Sequence, residues 1–412
     1  MAKNIIIILI FPAIFAGICF GAAQILLESY ASSFDPIPVV VVKFKNPQCL
    51  ENIKEPPWQI IADDFEFSGR FSVLRIDTDE PAVPAGMLLM VIGEFYILDD
   101  TINIKFRLIE PTGGLVIYEC DMHGQVKTAG RLAHRFSNLA YRMIFGETGI
   151  FESRICCVRG LGTKRDIHVM DYDGKDNTQL TRNQTLNLFP CFIDKESLIW
   201  VSYVMGKPDL FKGAVGKIEK PFILSPHTET SPDATRAGDC IAFASSMSGN
   251  LEIYICNADG TGRKQLTYNK AVDTAPSWSP DGRHLAFVSD RMGGPQIYLM
   301  DEEGSNVKRI TFMGNYQDSP AWSPRGDLIA YTSLQNRKYD IWVVKPDGED
   351  SRQVTSMSGS NEYPAWSPNG SHILFQSGLG GSYDLYSVRP DGTGLKRMTF
   401  TGDVRMPGWS PF

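Results

Sequence analysis

Short apolar runs alternate with glycine-bearing polar turns through the C-terminal two-thirds of the chain, and they recur in a fixed order. Each unit has a proline-headed segment, an apolar run (285–289, 328–333 and 373–377 are the clearest) and an aliphatic-aromatic pair. The pairs are Ile253-Tyr254, Ile297-Tyr298, Ile341-Trp342 and Leu385-Tyr386. A turn with glycine follows (Asp259-Gly260, Gly304, Asp347-Gly348, Asp391-Gly392), and then a short segment ending in Leu266-Thr267, Ile310-Thr311, Val354-Thr355 or Met398-Thr399. The runs are strand-length and rich in β-branched and aromatic residues. Each unit therefore predicts four short strands.

Pro190, Pro232, Pro276, Pro320, Pro364 and Pro407 mark the units at spacings of 42, 44, 44, 44 and 43 residues. Four of them head nearly the same phrase, ending in Trp278-Ser279-Pro280, Trp322-Ser323-Pro324, Trp366-Ser367-Pro368 and Trp409-Ser410-Pro411. A four-stranded meander repeated at this period cannot bury both faces until neighbours stack on it, which predicts a β-propeller. The first unit opens on Ile155-Cys156-Cys157-Val158 without a proline strand before it, and the last ends on a proline strand with no unit after it. The surplus strand fits the vacancy and closes the ring without free sheet edges. The expectation is six blades over residues 151–412. The units from Pro190 and Pro232 are degenerate, with Phe192 and Ala234 at the tryptophan position.

Residues 24–150 have no repeat. The continuous run 38–44 reads as a buried strand, 58–67 as a helix stopped by Gly69, and 71–76, 87–97, 101–109 and 115–120 as strands. Leu132, Phe136, Leu139, Met143 and Ile144 form an apolar stripe on a second helix, stopped by Gly146 and read as packing on its own sheet. This is a small N-terminal α/β domain. Ahead of it, Lys3, the apolar stretch 5–20 and Gly21-Ala22-Ala23 read as a secretory signal spanning 1–23.

The 412 residues are 43% hydrophobic with a net charge of −7, which fits an ordinary globular protein. No Lys/Arg stripe offers the footprint that nucleic acid requires. Removal of the signal leaves seven cysteines, which cannot all pair within one chain. Cys240 and Cys256 lie on successive strands and could face each other; buried thiols are the preferred reading. Hydrolase, metalloprotease, phosphate-loop and EF-hand motifs are absent, and the six histidines have no metal-ligand spacing. No catalytic residue, cofactor or metal site is expected.

The inner strands of a propeller line its channel, so the residues entering each proline strand should form one mouth. These are Asn187-Leu188-Phe189, Glu229-Thr230-Ser231, Asp273-Thr274-Ala275, Gln317-Asp318-Ser319, Asn361-Glu362-Tyr363 and Val404-Arg405-Met406. They are polar, net acidic and irregular between blades, as a recognition surface on a fixed scaffold would be. The alternative, an exported hydrolase or sugar-binding propeller, would need convergent carboxylates. Glu229, Asp273, Asp318 and Glu362 are the candidates.

The chain resembles the TolB family. The resemblance rests on Pro36-Ile37-Pro38 before the Val-rich strand, the segment from Ile60-Ile61-Ala62-Asp63-Asp64 to Ser68-Gly69-Arg70-Phe71, Leu132-Ala133-His134-Arg135, Gly146-Glu147-Thr148-Gly149, the six units and the Trp-Ser-Pro ending. It implies a periplasmic, monomeric, non-enzymatic scaffold of the Tol-Pal system, serving outer-membrane integrity and cell division, with no membrane insertion once the signal is cleaved. By the family pattern a Pal-like lipoprotein binds the propeller mouth. The residues implied are His227, Thr228, Glu229, Thr230, Ser231, Asp273, Thr274, Ala275, Gln317, Asp318, Glu362, Tyr363 and Arg405. Gln24, Ile25, Leu26, Leu27 and Glu28 would meet a TolA-like inner-membrane protein.

Overall fold

A period set by prolines becomes, in space, a ring of six four-stranded antiparallel sheets. The computed structural model describes residues 35–45, 53, 55–78, 82–217 and 219–411. The signal segment, Gln24 to Glu28 and Cys49 lie outside these residues. Blade 1 takes its inner strand, Val404–Trp409, from the far end of the repeat and continues with Arg154–Leu161, Lys164–Asp171 and Thr178–Gln179. The inner strands of blades 2 to 6 are Asn187–Phe192, Glu229–Ala234, Asp273–Trp278, Tyr316–Trp322 and Asn361–Trp366.

The prolines sit where the ladder can spare a donor. In blade 3, Thr230 pairs with Ala244 and Asp233 with Ala242, so Ser231 and Pro232 share the space opposite Phe243 in a β-bulge. All six inner strands shift register at the same place. Proline has no N–H to give to a ladder, and a bulge asks for none. The residue before each proline (Phe189, Ser231, Ala275, Ser319, Tyr363, Met406) has φ between 47° and 56°, a left-handed conformation costing about 1 kcal/mol or more for a side-chain-bearing residue.

The N-terminal domain is a five-stranded mixed sheet. Its strands are β1 (Ile37–Val42), β2 (Phe71–Ile76), β3 (Leu89–Leu98), β4 (Thr101–Ile109) and β5 (Val116–Gln125), in the order β2-β1-β3-β4-β5. The valine run is an interior strand, parallel to both neighbours, which is why it is apolar on both faces. Helix α1 (Pro57–Ser68) begins with proline in its first turn and ends on Gly69 at φ 66°; α2 (Ala129–Phe145) ends on Gly146 at φ 71°.

One core runs through both parts of the chain. Phe65, Phe71, Phe106 and Phe136 of the domain share it with Ile155, Tyr172, Leu385, Met398 and Trp409 of blades 1 and 6. The Phe67 ring stacks on His372 at 4.5 Å, and Gly69 lies so close to Arg389 that a Cβ would come within 1.7 Å of its guanidinium. Buried Asp64 accepts from the Tyr172 hydroxyl and meets His134 Nδ1 at 2.9 Å, while His134 Nε2 stands 3.7 Å from Asp173.

Three expectations change. The buried face of α2 is Ala133, Phe136, Ser137, Ala140 and Tyr141, with His134 and Asn138 also covered, and Met143 is exposed. The helix is enclosed by the propeller as well as by its own sheet, and the propeller side takes polar residues that an apolar stripe does not reveal. Strand β5 runs to Gln125 rather than stopping at Cys120, because it stays paired with β4 throughout. Cys240 and Cys256 are one register step apart, opposite Asn257 and Ile241 respectively, and all six described cysteines are free thiols.

Candidate functional site

The propeller has two unlike faces. Strand direction puts the first-to-second and third-to-outer turns on one side; Tyr172, Asp173, His372 and Arg389 lie there, under the N-terminal domain. The starts of the inner strands, the second-to-third hairpins and the links between blades lie on the other, open side. Of the large apolar side chains exposed among the described residues of the propeller, all but Val307 and Leu395 are on the open face. They include Leu161, Met205, Tyr268, Met292, Phe312 and Phe400.

Between the faces the inner strands enclose a cavity of about 490 Å³. Because the bulge interrupts the in-out alternation, both residues just before the proline of an inner strand can face it, as Thr230-Ser231, Thr274-Ala275 and Asp318-Ser319 do. Phe189 of blade 2 and Tyr363 of blade 6 reach across and narrow it, ring centroids 6.1 Å apart. Deeper in the wall, Cys191 Sγ lies 3.5 Å from Asp233 Oδ1, and Asp233 Oδ2 accepts the Trp278 N–H of the next blade at 2.7 Å. Burial pushes the Asp233 carboxyl up to about 6.

The residue three positions before each proline of blades 2 to 6 is not at the mouth. Glu229, Asp273 and Gln317 are buried and tie blades together, as Asn187 and Asn361 do. Asp273 accepts from Asn269 Nδ2 at 2.7 Å and pairs with Arg291 at 2.8 Å. Glu229 accepts from Ser225 Oγ at 2.5 Å and Ser245 Oγ at 3.3 Å; burial raises its carboxyl above the usual range. Gln317 donates to the Met313 carbonyl at 2.5 Å. Strand alternation turns these side chains into the seam between blades, a direction the spacing of the prolines does not specify.

The remaining predicted residues do lie on the open side. His227 and Thr228 are in the link to blade 3, where their N–H groups donate to Ser225 Oγ and Ser246 Oγ, each at 3.0 Å. Arg405 stacks over the Tyr383 ring at 3.6 Å, and Glu362 accepts from Ser360 Oγ at 2.6 Å. Asp318 accepts from the Tyr316 hydroxyl at 2.9 Å and the Ser319 N–H at 2.7 Å. Tyr316 and Tyr339, in edge contact at 5.8 Å, complete an aromatic rim that the sequence reading did not single out. Burial, and then the charges of Asp318 and Glu362, raise the Tyr363 hydroxyl, so it remains a donor.

The charge on this face is one-sided. Its exposed charged residues, among those described, are Lys164, Arg182, Lys270 and Arg337, with Arg397 paired to Asp384, all cations. The acids are half-buried and engaged: besides Asp318 and Glu362, Asp290 accepts the Val272 N–H at 2.8 Å, and Asp403 accepts from Thr401 and meets Arg159 at 3.4 Å. No group of three or more His, Cys, Asp or Glu among the described residues could hold a metal ion.

A family model described as the TolB beta propeller domain matches residues 141–412. The chain belongs to the TolB β-propeller family. The TolB structure from Acinetobacter baumannii superposes with a TM-score of 0.78 at 23% identity, covering 92% of this chain and 97% of that one, and so shows the fold over both domains. Curated relatives named Tol-Pal system protein TolB include one from Geobacter sulfurreducens, 37% identical over 26% of this chain and 25% of its own length. Another, from Roseobacter denitrificans, is 30% identical over 49% of this chain and 52% of its own length. The chain thus spans from a quarter to about half of the length of these relatives.

Proposed function

We propose that this TolB-family chain is a periplasmic, non-enzymatic scaffold of a Tol-Pal system, taking a Pal-like lipoprotein on the open face of the propeller. The observation that carries this reading is the asymmetry of the ring: the N-terminal domain occupies one face, and the other presents nearly all of the propeller's exposed apolar side chains around a narrowed channel. Exposed apolar groups gathered on one side of a protein mark interaction surfaces. A hydrolase reading has little support from the four candidate acids. Glu229 and Asp273 are buried in seams, and Asp318 and Glu362 are held by their neighbours.

Thr230, Ser231, Thr274, Ala275, Asp318, Glu362, Tyr363 and Arg405, with His227 and Thr228 beside them, are the proposed contacts. Glu229, Asp273 and Gln317 would act only by holding the seams. The segment Gln24 to Glu28 is proposed to meet a TolA-like inner-membrane protein. The test is titration calorimetry of the mature chain with the periplasmic part of a peptidoglycan-associated lipoprotein. Binding should weaken tenfold or more in Thr274→Arg, which fills the channel mouth, and persist when residues 24–28 are deleted. Equal affinity in Thr274→Arg and the wild type would remove the mouth as the site.

A further inference from the structure

Recognition at the channel mouth alone would leave two features of the open face without a role. The first is a set of large apolar side chains far from the axis: Tyr268, Phe312 and Phe400 directly follow the outermost strands of blades 3, 4 and 6, and Met292 tips a hairpin of blade 4; their exposures run from 69% to 74%. Phe312 and Phe400 are held outward under Arg309 and Arg397, at 5.1 and 4.9 Å from ring centroid to guanidinium carbon. The second is charge. In a chain of net charge −7, the exposed charged residues described on this face are cations alone.

We infer that the docking surface extends over the whole open face to its perimeter, and that the partner meets it with an acidic protein surface carrying apolar knobs. The inference rests on the reading that this face binds a protein. Its division of labour follows from the chemistry. Lys164, Arg182, Lys270 and Arg337 steer the approach, since exposed charges act mainly on association. Aromatic and methionine side chains, which give large contact areas, hold the complex once it has formed. A flat anionic bilayer matches the cations but would leave the concave mouth, with its engaged acids and tyrosines, unfilled; a protein surface with a protrusion fills it.

The experiment uses the mature chain and the periplasmic part of a peptidoglycan-associated lipoprotein, with association and dissociation rates measured from low salt to about 0.3 M, where screening is strong. The variants are K164E/R182E/K270E/R337E and F312S/F400S, all at exposed positions, each checked for wild-type melting. The charge variant should associate about tenfold or more slowly at low salt with little change in dissociation. The aromatic variant should dissociate about tenfold or more faster. In hydroxyl-radical footprinting of the wild-type complex, Tyr268, Met292, Phe312 and Phe400 should be protected.

Protection confined to Phe189 and Tyr363, with unchanged rates in both variants, would overturn the extended footprint while leaving the mouth as the site. No binding by the wild type would overturn both readings. Salt-sensitive binding to phosphatidylglycerol vesicles, with none to the lipoprotein, would assign the face to a lipid surface and overturn the protein partner.

Discussion

Phe189 and Tyr363 stand on blades that are not neighbours, yet their rings meet across the channel at 6.1 Å between centroids. Each is carried inward by a left-handed residue at a bulge, with φ of 50° and 56°. An aromatic contact of this kind couples the two by about 0.5–1.5 kcal/mol. A double-mutant cycle with Phe189→Ala and Tyr363→Ala, read by urea unfolding, should return that coupling. Strict additivity would mean that the rings do not meet in solution.

Asp273 and Thr274 are adjacent but face different surroundings, so the same substitution should have unlike effects. Asp273→Lys places a second cation beside Arg291 in a buried seam and should cost about 3–5 kcal/mol. Thr274→Lys extends into the open channel and should cost less than about 1 kcal/mol. Comparable unfolding midpoints for the two variants would contradict the seam assignment.

The joint between domain and propeller should have two pH limits of opposite sign. Burial works against a charge on His134, but the charge of Asp64, the hydrogen bond that His134 donates to it and the charges of Asp173 and Asp171 outweigh it and lift its pKa to about 9. Its contribution is therefore complete below the ordinary value of 6.5 and is lost as pH rises through 9. His372, stacked on Phe67, is pushed down to about 3 by burial first, then by Arg389 and Lys396 against Asp391. Its contribution is present above 6.5 and is lost as pH falls toward 3. A displacement of one pH unit in a pKa corresponds to about 1.4 kcal/mol. Measured against wild type, the deficit of His134→Gln should shrink on the alkaline side, and His372→Asn should lose the acid arm. A deficit of His134→Gln that stays constant from pH 6 to 10 would refute the first assignment.

Cys191 borders the channel and would be expected to react, but burial and the Asp233 charge hold its thiol well above the usual range. Only the thiolate is nucleophilic. Iodoacetamide at pH 8 should label Cys191 slowly in the folded chain and readily in urea, as read by peptide mass spectrometry. Equal rates in the two states would show that the thiol is not held up as described.

Ring closure places Trp409 Nε1–H on Ser153 Oγ at 2.7 Å, across 256 positions of sequence. Trp409→Phe keeps an aromatic ring but removes the N–H that Ser153 Oγ accepts, while that hydroxyl still donates to the Ile150 carbonyl, at a cost of about 0.5–1.5 kcal/mol for the lost bond. An unchanged melting temperature would mean that the closure does not depend on this bond.

Much of this fold is legible in the sequence because repetition averages out local ambiguity. The prolines, the Trp-Ser-Pro phrases and the missing first strand give blade number and closure directly, and the valine run gives an interior strand of the small domain. What escapes is direction. Nothing in Glu229-Thr230-Ser231 says that the first side chain turns into a seam while the next two face the channel; that follows from a bulge, which depends on backbone torsions. The joint is missed for a related reason. Asp64 and His134 are 70 positions apart and meet where α1 packs on α2, and Tyr172, 108 positions from Asp64, joins them only through the docking of one domain on the other.

The proline bulge has a bearing on how such a ring could change its partner. In blades 3, 4 and 5 it turns two consecutive residues to the interior, the first still paired in the ladder and the second in the bulge, and it fixes the register on either side. Substitutions of the polar residues there, Thr230, Ser231 and Thr274, do not touch the apolar cores between the blades. On the proposed reading of the mouth, a new specificity can then be reached through a series of single exchanges, because the polar residues that face the channel are not the residues that hold the seams.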